Sequence, residues 1–287
     1  MDIGITLGYV MKQSNAKTSI DFQTAVGLCR DAGFEYIDYT GDFRREDWEA
    51  EALRQREILD SAGVTVEQTH LPFNRYCSYT DDEFAVYTRR ALELSRIFGA
   101  RYVVVHADEY RTAGRYDVDE ILAFTREYLS PSVDFCERNG MTLAVENVFE
   151  DGSRHWPQVD GKSRFTSRIE ELIAVADMFD TPNVRCCWDF GHGRCQYGDD
   201  APKALAALGD RVVCTHTHDN YYEKDLHLIP FFGASDWQEN MRVLRECGYH
   251  GKLTLELVYG ALPKALLPDM LRTAYHSAQI LTEMFDN

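Results

Sequence analysis

Long apolar runs are missing from this chain of 287 residues. No stretch approaches the ~20 consecutive apolar residues that cross a bilayer, so the sequence predicts no membrane span and no membrane partner. The first ten residues, MDIGITLGYV, carry an acid at position 2 and no basic segment, and we interpret them as a strand rather than a signal peptide. Without an export signal, a cytoplasmic protein is the expectation.

Closely spaced cysteine pairs are missing as well. The eight cysteines include no CxxC pair, which disfavours a zinc knuckle, a redox motif or a disulfide framework. Cys186 and Cys187 are neighbours on one predicted strand and must point to opposite faces. The cysteines are therefore expected to be reduced thiols that ligate no metal.

Basic residues are few for the number of acids. The chain has 47 acidic residues against 30 Lys and Arg, which gives a formal net charge of −17. Nucleic-acid binding draws much of its affinity from neutralised phosphates, so no nucleic-acid partner is expected. The sequence also lacks a GxGxxG turn between a strand and a helix, a Walker loop and a GxSxG elbow, so nucleotide binding and serine hydrolysis have no support.

The chain does contain a strand-then-helix unit that occurs eight times. Strands are predicted at 3–10, 36–39, 64–70, 101–106, 142–146, 184–189, 212–216 and 253–256. The helices that follow them are predicted at 19–32, 47–62, 81–98, 118–139 (kinked or divided at Pro131), 168–179, 201–208, 236–247 and 264–284.

This alternation implies a parallel sheet, and eight such units close most economically into a barrel. The predicted fold class is α/β, a single (β/α)8 TIM barrel formed by residues 1–287 as one domain. On the last strand, Leu253, Leu255 and Leu257 share the face that packs on helices. Thr254 and Glu256 then point into the barrel.

Ionisable residues close five of the predicted strands. They are His106, Glu146, Asp189, His216 and Glu256. Barrel enzymes carry their chemistry at the carboxyl ends of the strands, where these side chains would meet. Converging buried acids repel one another unless a cation lies between them. The residues therefore predict a site for a hard or borderline divalent metal, formed by Glu146, Asp189, His216 and Glu256.

Besides the four predicted metal ligands, five residues, His106 among them, are predicted to line the same site and to bind substrate. His70 and His106 close strands three and four, and Asp225 and His227 lie on the loop after strand seven. His192 follows Asp189 by three residues in WDFGHG, a spacing that lets it fold back over the metal as a ligand or as a substrate contact.

His218 shares a strand face with His216 but lies one step farther out. It is expected behind the ligands or in the loop that follows strand seven.

Seven motifs make the sequence similar to a known group of proteins. They are HLPFN, VVVHADE, AVENVFE, WDFGHG, THTHDN, DLHLIPFFGASDW and LTLELV. With these motifs in order along essentially the whole chain, the sequence resembles the xylose isomerase-like TIM-barrel superfamily. That group includes sugar isomerases, ketose 3-epimerases, inosose dehydratases and endonuclease IV.

The epimerase branch implies one divalent ion, either Mn²⁺, Mg²⁺ or Co²⁺, with Zn²⁺ as a further option. The resemblance assigns its ligands to Glu146, Asp189, His216 and Glu256. It also implies that the two glutamates act as the acid–base pair and that His192 contacts substrate.

The endonuclease branch implies a trinuclear zinc cluster instead. Its ligand positions can also be matched here: His70, His106, Glu146, Asp189, His192, His216, Asp225, His227 and Glu256. The net charge and the short loops at 40–45 and 71–80 weigh against a DNA-reading surface. Loop seven reads IPFFGASDW where the family usually shows Pro-Gly-x-Gly, so the substrate or its closure there is expected to be unusual.

The sequence thus predicts a metal-dependent isomerase or epimerase of a sugar or sugar derivative, acting by proton transfer through a metal-stabilised enediolate. A dehydratase or lyase on a keto-inositol or related polyol, a zinc phosphodiesterase and a catalytically silent barrel stay open as alternatives. The expected partner is a small sugar or polyol, and homo-oligomer formation is left open. Whether the substrate is phosphorylated is also open, because six cations lie on predicted rim loops: Arg75, Arg111, Arg115, Arg154, Lys162 and Arg164.

Overall fold

The computed structural model describes residues 1–12, 19–73, 78–109, 116–150, 164–221, 224–260 and 262–287. Their eight parallel strands form one sheet in the order β7-β6-β5-β4-β3-β2-β1-β8. The strands are β1 Ile3–Thr6, β2 Tyr36–Asp38, β3 Thr65–His70, β4 Tyr102–Val105, β5 Thr142–Glu146, β6 Val184–Asp189, β7 Val212–His216 and β8 Leu253–Leu255. Beyond β7, the amide of Thr217 donates to the carbonyl of Thr254 at 2.7 Å and nearly closes the sheet. The predicted eight-stranded barrel is confirmed.

Helices connect the strands around the outside of the barrel. They are α1 Leu7–Met11, α2 Phe22–Ala32, α3 Trp48–Ala62, α4 Asp81–Phe98, α5 Val118–Arg138, α6 Ile169–Asp177, α7 Phe190–Tyr197, α8 Ala201–Leu208, α9 Trp237–Glu246 and α10 Leu267–Asp286. Helix α4 has the predicted bounds because Thr80 and Glu83 form a capping box at its start. None of the helices in the described ranges is long and apolar enough to cross a membrane.

The two faces of the sheet pack differently. Outward-facing side chains such as Leu253, Leu255 and Cys186 join the large core under the helices. Inside the barrel, a small cluster contains Cys187 and Cys214. Adjacent Cys186 and Cys187 therefore lie on opposite faces, as alternation predicts, and each of them is a free thiol.

The first strand is shorter than predicted. Strand β1 ends at Thr6, and the segment expected to continue it forms the short helix α1. Leu7 and Val10 are both buried, and a spacing of three residues puts them on one helix face. The turn into this helix brings Tyr9 to the carboxyl end of the barrel.

Helix α7 was not predicted, because its segment FGHGRCQY contains two glycines with low helix propensity. The structure explains both. A Cβ at position 191 would lie 1.8 Å from Cε1 of His218, and one at position 193 would lie 2.4 Å from Cζ2 of Trp188. Only glycine permits this approach, and Asp189 caps the helix by accepting from the amide of His192.

Of the two alternatives predicted at Pro131, a kinked or a divided helix, the divided helix was wrong. Helix α5 is one helix from Val118 to Arg138, with Pro131 inside it. Buried side chains on both sides of the proline, Leu129 and Val133, pack against the core. We attribute the continuity to this packing, which compensates for the missing backbone hydrogen bond.

Candidate active site

A cavity of about 670 Å³ opens at the carboxyl ends of the strands. Register pairs Asp189 with His216 on neighbouring strands, so side chains that close different strands meet at one end of the barrel. The residues predicted for the site that line the cavity are His70, His106, Glu146, His192, His216, Asp225, His227 and Glu256. Asp189 is fully buried beside them.

The four predicted metal ligands form one compact group. Glu146, Asp189, His216 and Glu256 each place a ligand atom within 4.8 Å of the others. Nδ1 of His216 lies 3.2 Å from Oε1 of Glu146 and 3.2 Å from Oε2 of Glu256. Three carboxylates at this distance repel one another in the absence of a cation, and carboxylate oxygens with one imidazole suit a hard or borderline divalent ion. The donor set therefore fits the predicted metal.

Asp38, at the end of β2, belongs to the site although it was not predicted. Its buried carboxylate oxygen Oδ2 lies 3.0 Å from Nε2 of His216. A carboxylate behind an imidazole ligand fixes the tautomer and the ring orientation. Asp38 thus directs Nδ1 of His216 toward Glu146 and Glu256. The strand was predicted to end one residue later, at position 39, so Asp38 was not recognised as a strand-end residue.

Four imidazoles surround the carboxylate of Glu146. Nε2 of His70 and Nε2 of His106 lie 3.2 and 3.3 Å from Oε2, and Nδ1 of His192 lies 3.3 Å from Oε1, beside His216. Burial raises the pKa of Glu146, but the positive charge of His216 and the hydrogen bonds from the imidazoles hold it well below its ordinary value. His70, His106 and Glu146 also form a second group of donors close enough to hold a metal.

Asp189 is held by three contacts on different elements. It accepts from the amide of His192 at 2.7 Å and lies 3.1 Å from Nε2 of His218. Its own backbone N–H and C=O pair with the side-chain amide of Asn147 at 2.7 and 3.0 Å. His218 therefore lies directly behind a predicted ligand, where it is fully buried. These contacts keep the Asp189 carboxylate aimed at the donor group.

The loop after β7 brings Asp225 and His227 to the cavity wall. Oδ2 of Asp225 lies 3.1 Å from Nε2 of His227 and 3.6 Å from Nε2 of His192. Burial lowers the pKa of His227, but the hydrogen bond with Asp225 and the charge of Glu256 raise it to about 9. His218, Asp225 and His227 form a third group of donors close enough for a metal.

Tyr9 is a second cavity residue that was not predicted, because the segment was assigned to a strand. Its ring lies 5.8 Å from the ring of His227. Burial raises the pKa of Tyr9, and the charges of Glu256 and Asp225 raise it further. The phenol therefore stays neutral and can donate a hydrogen bond to a substrate oxygen.

Of the six cations predicted on rim loops, Arg164 is the one that lies among the described residues. Its Nε lies 2.6 Å from Oδ2 of Asp108, both side chains are buried, and Arg164 lines the cavity. The other cations predicted on rim loops lie outside the described residues: Arg75, Arg111, Arg115, Arg154 and Lys162.

Asp219 holds the loop that carries Asp225 and His227. Its fully buried carboxylate accepts five N–H groups, from the backbone of residues 220, 231, 233 and 235 and from Nε1 of Trp237. The loop includes two non-glycine residues with positive φ, His227 at 49° and Phe231 at 76°. Such conformations persist only when the surroundings hold them.

Replacing Asp219 by Asn should lower the free energy of unfolding by about 2–5 kcal/mol, because an amide group cannot accept two or three of these N–H groups and each unsatisfied donor costs ~1–3 kcal/mol. Urea denaturation measures the change. Asp236→Asn is the matched control, since the Asp236 side chain accepts the amide of Glu239 at the start of α9. Equal stability of the two variants would contradict the assignment of Asp219 as the residue that holds the loop.

Comparison with known proteins places the chain in a family. Residues 26–275 match the family described as "Xylose isomerase-like TIM barrel". An uncharacterized protein of Sinorhizobium fredii, y4fM, is 26% identical over 269 residues, which cover 81% of this chain and 79% of that protein.

Solved structures of similar fold include two with epimerase names. A D-tagatose 3-epimerase-like protein has a TM-score of 0.72 and 20% identity, with 100% of this chain and 97% of that chain covered. D-psicose 3-epimerase in the presence of D-fructose has a TM-score of 0.74 and 16% identity, with 98% and 99% covered. The IOLI protein with a zinc atom has a TM-score of 0.70 and 16% identity, with 99% and 98% covered. At these identities the likeness shows the fold.

Proposed function

This chain belongs to the xylose isomerase-like TIM-barrel family, and from that premise we propose that it is a divalent-metal-dependent isomerase or epimerase of a sugar or sugar derivative. The observation that carries the proposal is the pair of glutamates on β5 and after β8, each 3.2 Å from Nδ1 of His216. The names of the similar structures, two of them 3-epimerases, support the same reaction class.

In the proposed site, Glu146, Asp189, His216 and Glu256 hold the ion. When bound, a divalent ion acts as a Lewis acid on substrate oxygens, which favours loss of a proton from the carbon next to a carbonyl. The chain's own task is to take that proton and to return one. Carboxylates placed on different sides of the substrate can do this on opposite faces of the carbon, which inverts it.

The two glutamates are not equivalent. The Glu146 side chain is 2% exposed and accepts hydrogen bonds from imidazoles, whereas the Glu256 side chain is 15% exposed at the cavity. Imidazole contacts that stabilise the carboxylate of Glu146 make it a weaker base. We therefore assign removal of the substrate proton to Glu256. Glu146, with its imidazoles, then returns a proton to the substrate carbon.

Other residues at the cavity would bind the substrate's hydroxyl groups. His70, His106 and His192 present ring nitrogens beside Glu146, and Asp225 and His227 extend the polar wall. Such a wall suits a polyol, because each hydroxyl can both donate and accept a hydrogen bond.

Solvent isotope incorporation tests the proposal. In deuterated water, the metal-loaded protein should convert one of D-tagatose, D-psicose or D-fructose with solvent deuterium on the carbon next to the carbonyl, as seen by NMR. Product without label would indicate a hydride shift and hence aldose–ketose isomerisation. Product that has lost water would indicate the dehydratase alternative. No conversion of ketoses, aldoses or keto-inositols would contradict the proposal.

A second candidate function is a zinc-dependent phosphodiesterase. It is favoured by two donor groups beyond the first, His70–His106–Glu146 and His218–Asp225–His227. The net charge of −17 opposes a DNA substrate. Two or three tightly bound zinc ions per chain, together with cleavage beside an abasic site in duplex DNA, would favour this candidate over the isomerase.

A further inference from the structure

A second cavity adjoins the polar one. It has a volume of about 310 Å³ and lies between the loops that follow β2 and β3. Four residues line both cavities: Thr40, His70, Phe73 and Ser78. Because the two cavities share a wall, one bound molecule can occupy both.

The chemistry of the second cavity differs from that of the first. Its described lining adds only Phe43, Leu71, Pro72 and Tyr79 to the shared residues, and no carboxylate, Lys or Arg is among them. The described lining of the polar cavity contains four carboxylates, those of Asp38, Glu146, Asp225 and Glu256. The apolar lining therefore begins at His70, one of the imidazoles of the polar cavity.

Phe73 forms the boundary between the two regions. Its ring lies 5.1 Å from the ring of His70 and 4.9 Å from that of His106, yet the residue is 42% exposed. An exposed aromatic face beside a polar site is typical of a ligand-binding surface, because covering the apolar face with a ligand is favourable.

The aromatic side chains of the second cavity are held by contacts outside the polar site, and the loop after β2 is joined to His70. The ring of Phe43 packs 5.6 Å from Tyr87, and the ring of Tyr79 packs 5.7 Å from the same side chain. Arg90 donates to the carbonyl of Phe43 at 3.1 Å, and Thr40 bonds both backbone groups of His70. The second cavity is thus built into the two loops, and His70 is a residue that it shares with the polar cavity.

We propose that the substrate is a sugar or polyol carrying an aryl or alkyl substituent, with the polyol at Glu146 and Glu256 and the substituent between Phe43, Phe73 and Tyr79. This inference rests on the proposed function for the polyol end. The substituent must lie away from the reacting carbonyl, because none of the four predicted metal ligands lines the apolar cavity.

A matched pair of ligands tests the proposal by binding, without turnover. 6-O-benzyl-D-fructose and 6-O-methyl-D-fructose differ only in the apolar group, and isothermal titration calorimetry with the metal-loaded protein gives both affinities. Burial of an aromatic ring is worth a factor of about 10–100 in affinity. The benzyl ether should bind tighter by that factor, and saturation-transfer NMR should show its ring protons against the protein.

Variants test whether the preference for the benzyl ether depends on the aromatic wall of the second cavity. Phe43→Ala should remove most of the preference for the benzyl ether, whereas Phe232→Ala, a 55% exposed aromatic outside both described linings, should retain it. Tyr79→Ser provides a second change in the same wall if Phe43→Ala folds poorly. Equal affinity for the two ethers, no binding of the benzyl ether, or a preference that survives both wall variants would overturn the proposal. Failure of the proposed function would instead show as binding without conversion of any sugar.

Discussion

Glu256→Gln is expected to lower kcat by about 10²–10⁴-fold, and Glu146→Gln by at least as much, because each removes a group that carries a proton and weakens a metal ligand. The amide is nearly isosteric with the carboxylate, so the loss arises from chemistry rather than packing. The measurement is the initial rate of sugar conversion with saturating metal, together with the amount of metal retained by each variant. The double variant should be little worse than either single one, since residues that act as a unit are not additive.

The control for these variants is a glutamate at the opposite end of the barrel. Glu67 on β3 is buried and lies 4.0 Å from Nζ of Lys252. Glu67→Gln should leave turnover unchanged, which separates loss of a buried carboxylate from loss of a catalytic one. If both site variants keep wild-type rates, the two-glutamate mechanism is wrong and the strand-end cluster has a structural role.

The pattern of strand ends predicted the main cluster for a physical reason. Side chains alternate along each strand, and parallel strands deliver their last inward position to the same end of the barrel. Glu146, Asp189 and His216 follow this rule, and the structure places them together. Their roles as ligands and bases stay predictions, because the geometry shows proximity and not chemistry.

Other parts of the site depend on contacts between distant segments, which strand and helix patterns do not reveal. Asp38 is far from His216 in sequence, and only the closed barrel brings them within 3.0 Å. Tyr9 reaches the cavity because a short helix replaces the end of the predicted strand. Asp219 lies in a segment with no regular periodicity, and its importance comes from five N–H groups that converge on it in space.

Helix α7 was also not predicted, because it too depends on contacts between distant segments. Its glycines lower local helix propensity, but they are required at these two positions because His218 and Trp188 leave no room for side chains. Tertiary packing therefore decides the conformation, and its consequence is functional. The start of α7 sets the position of His192 beside Glu146 and Asp225.

Removal of the metal is expected to lower the thermal unfolding midpoint by about 8–10 °C. An ion present at 1,000 times its dissociation constant stabilises the native state by ~4 kcal/mol, and each kcal/mol corresponds to ~2 °C or slightly more in a chain of this size. The physical cause is the mutual repulsion of Glu146, Asp189 and Glu256 once no cation separates them. Thermal unfolding with and without EDTA, followed by back-titration with Mn²⁺, Co²⁺ and Zn²⁺, measures the effect.

Asp189→Asn should abolish this dependence on metal without breaking helix α7, because Asn is as good an N-cap as Asp and still accepts from the amide of His192. Asp117→Asn is the matched control, since Asp117 caps α5 in the same way and is not a member of the groups of metal donors. The back-titration should saturate at one equivalent per chain, the stoichiometry of the four-ligand group. Saturation at two or three equivalents of zinc would show that the donor groups at His70 and His227 are also filled and would favour the phosphodiesterase. An unfolding midpoint that EDTA leaves unchanged in the metal-loaded wild-type protein would contradict the metal site itself.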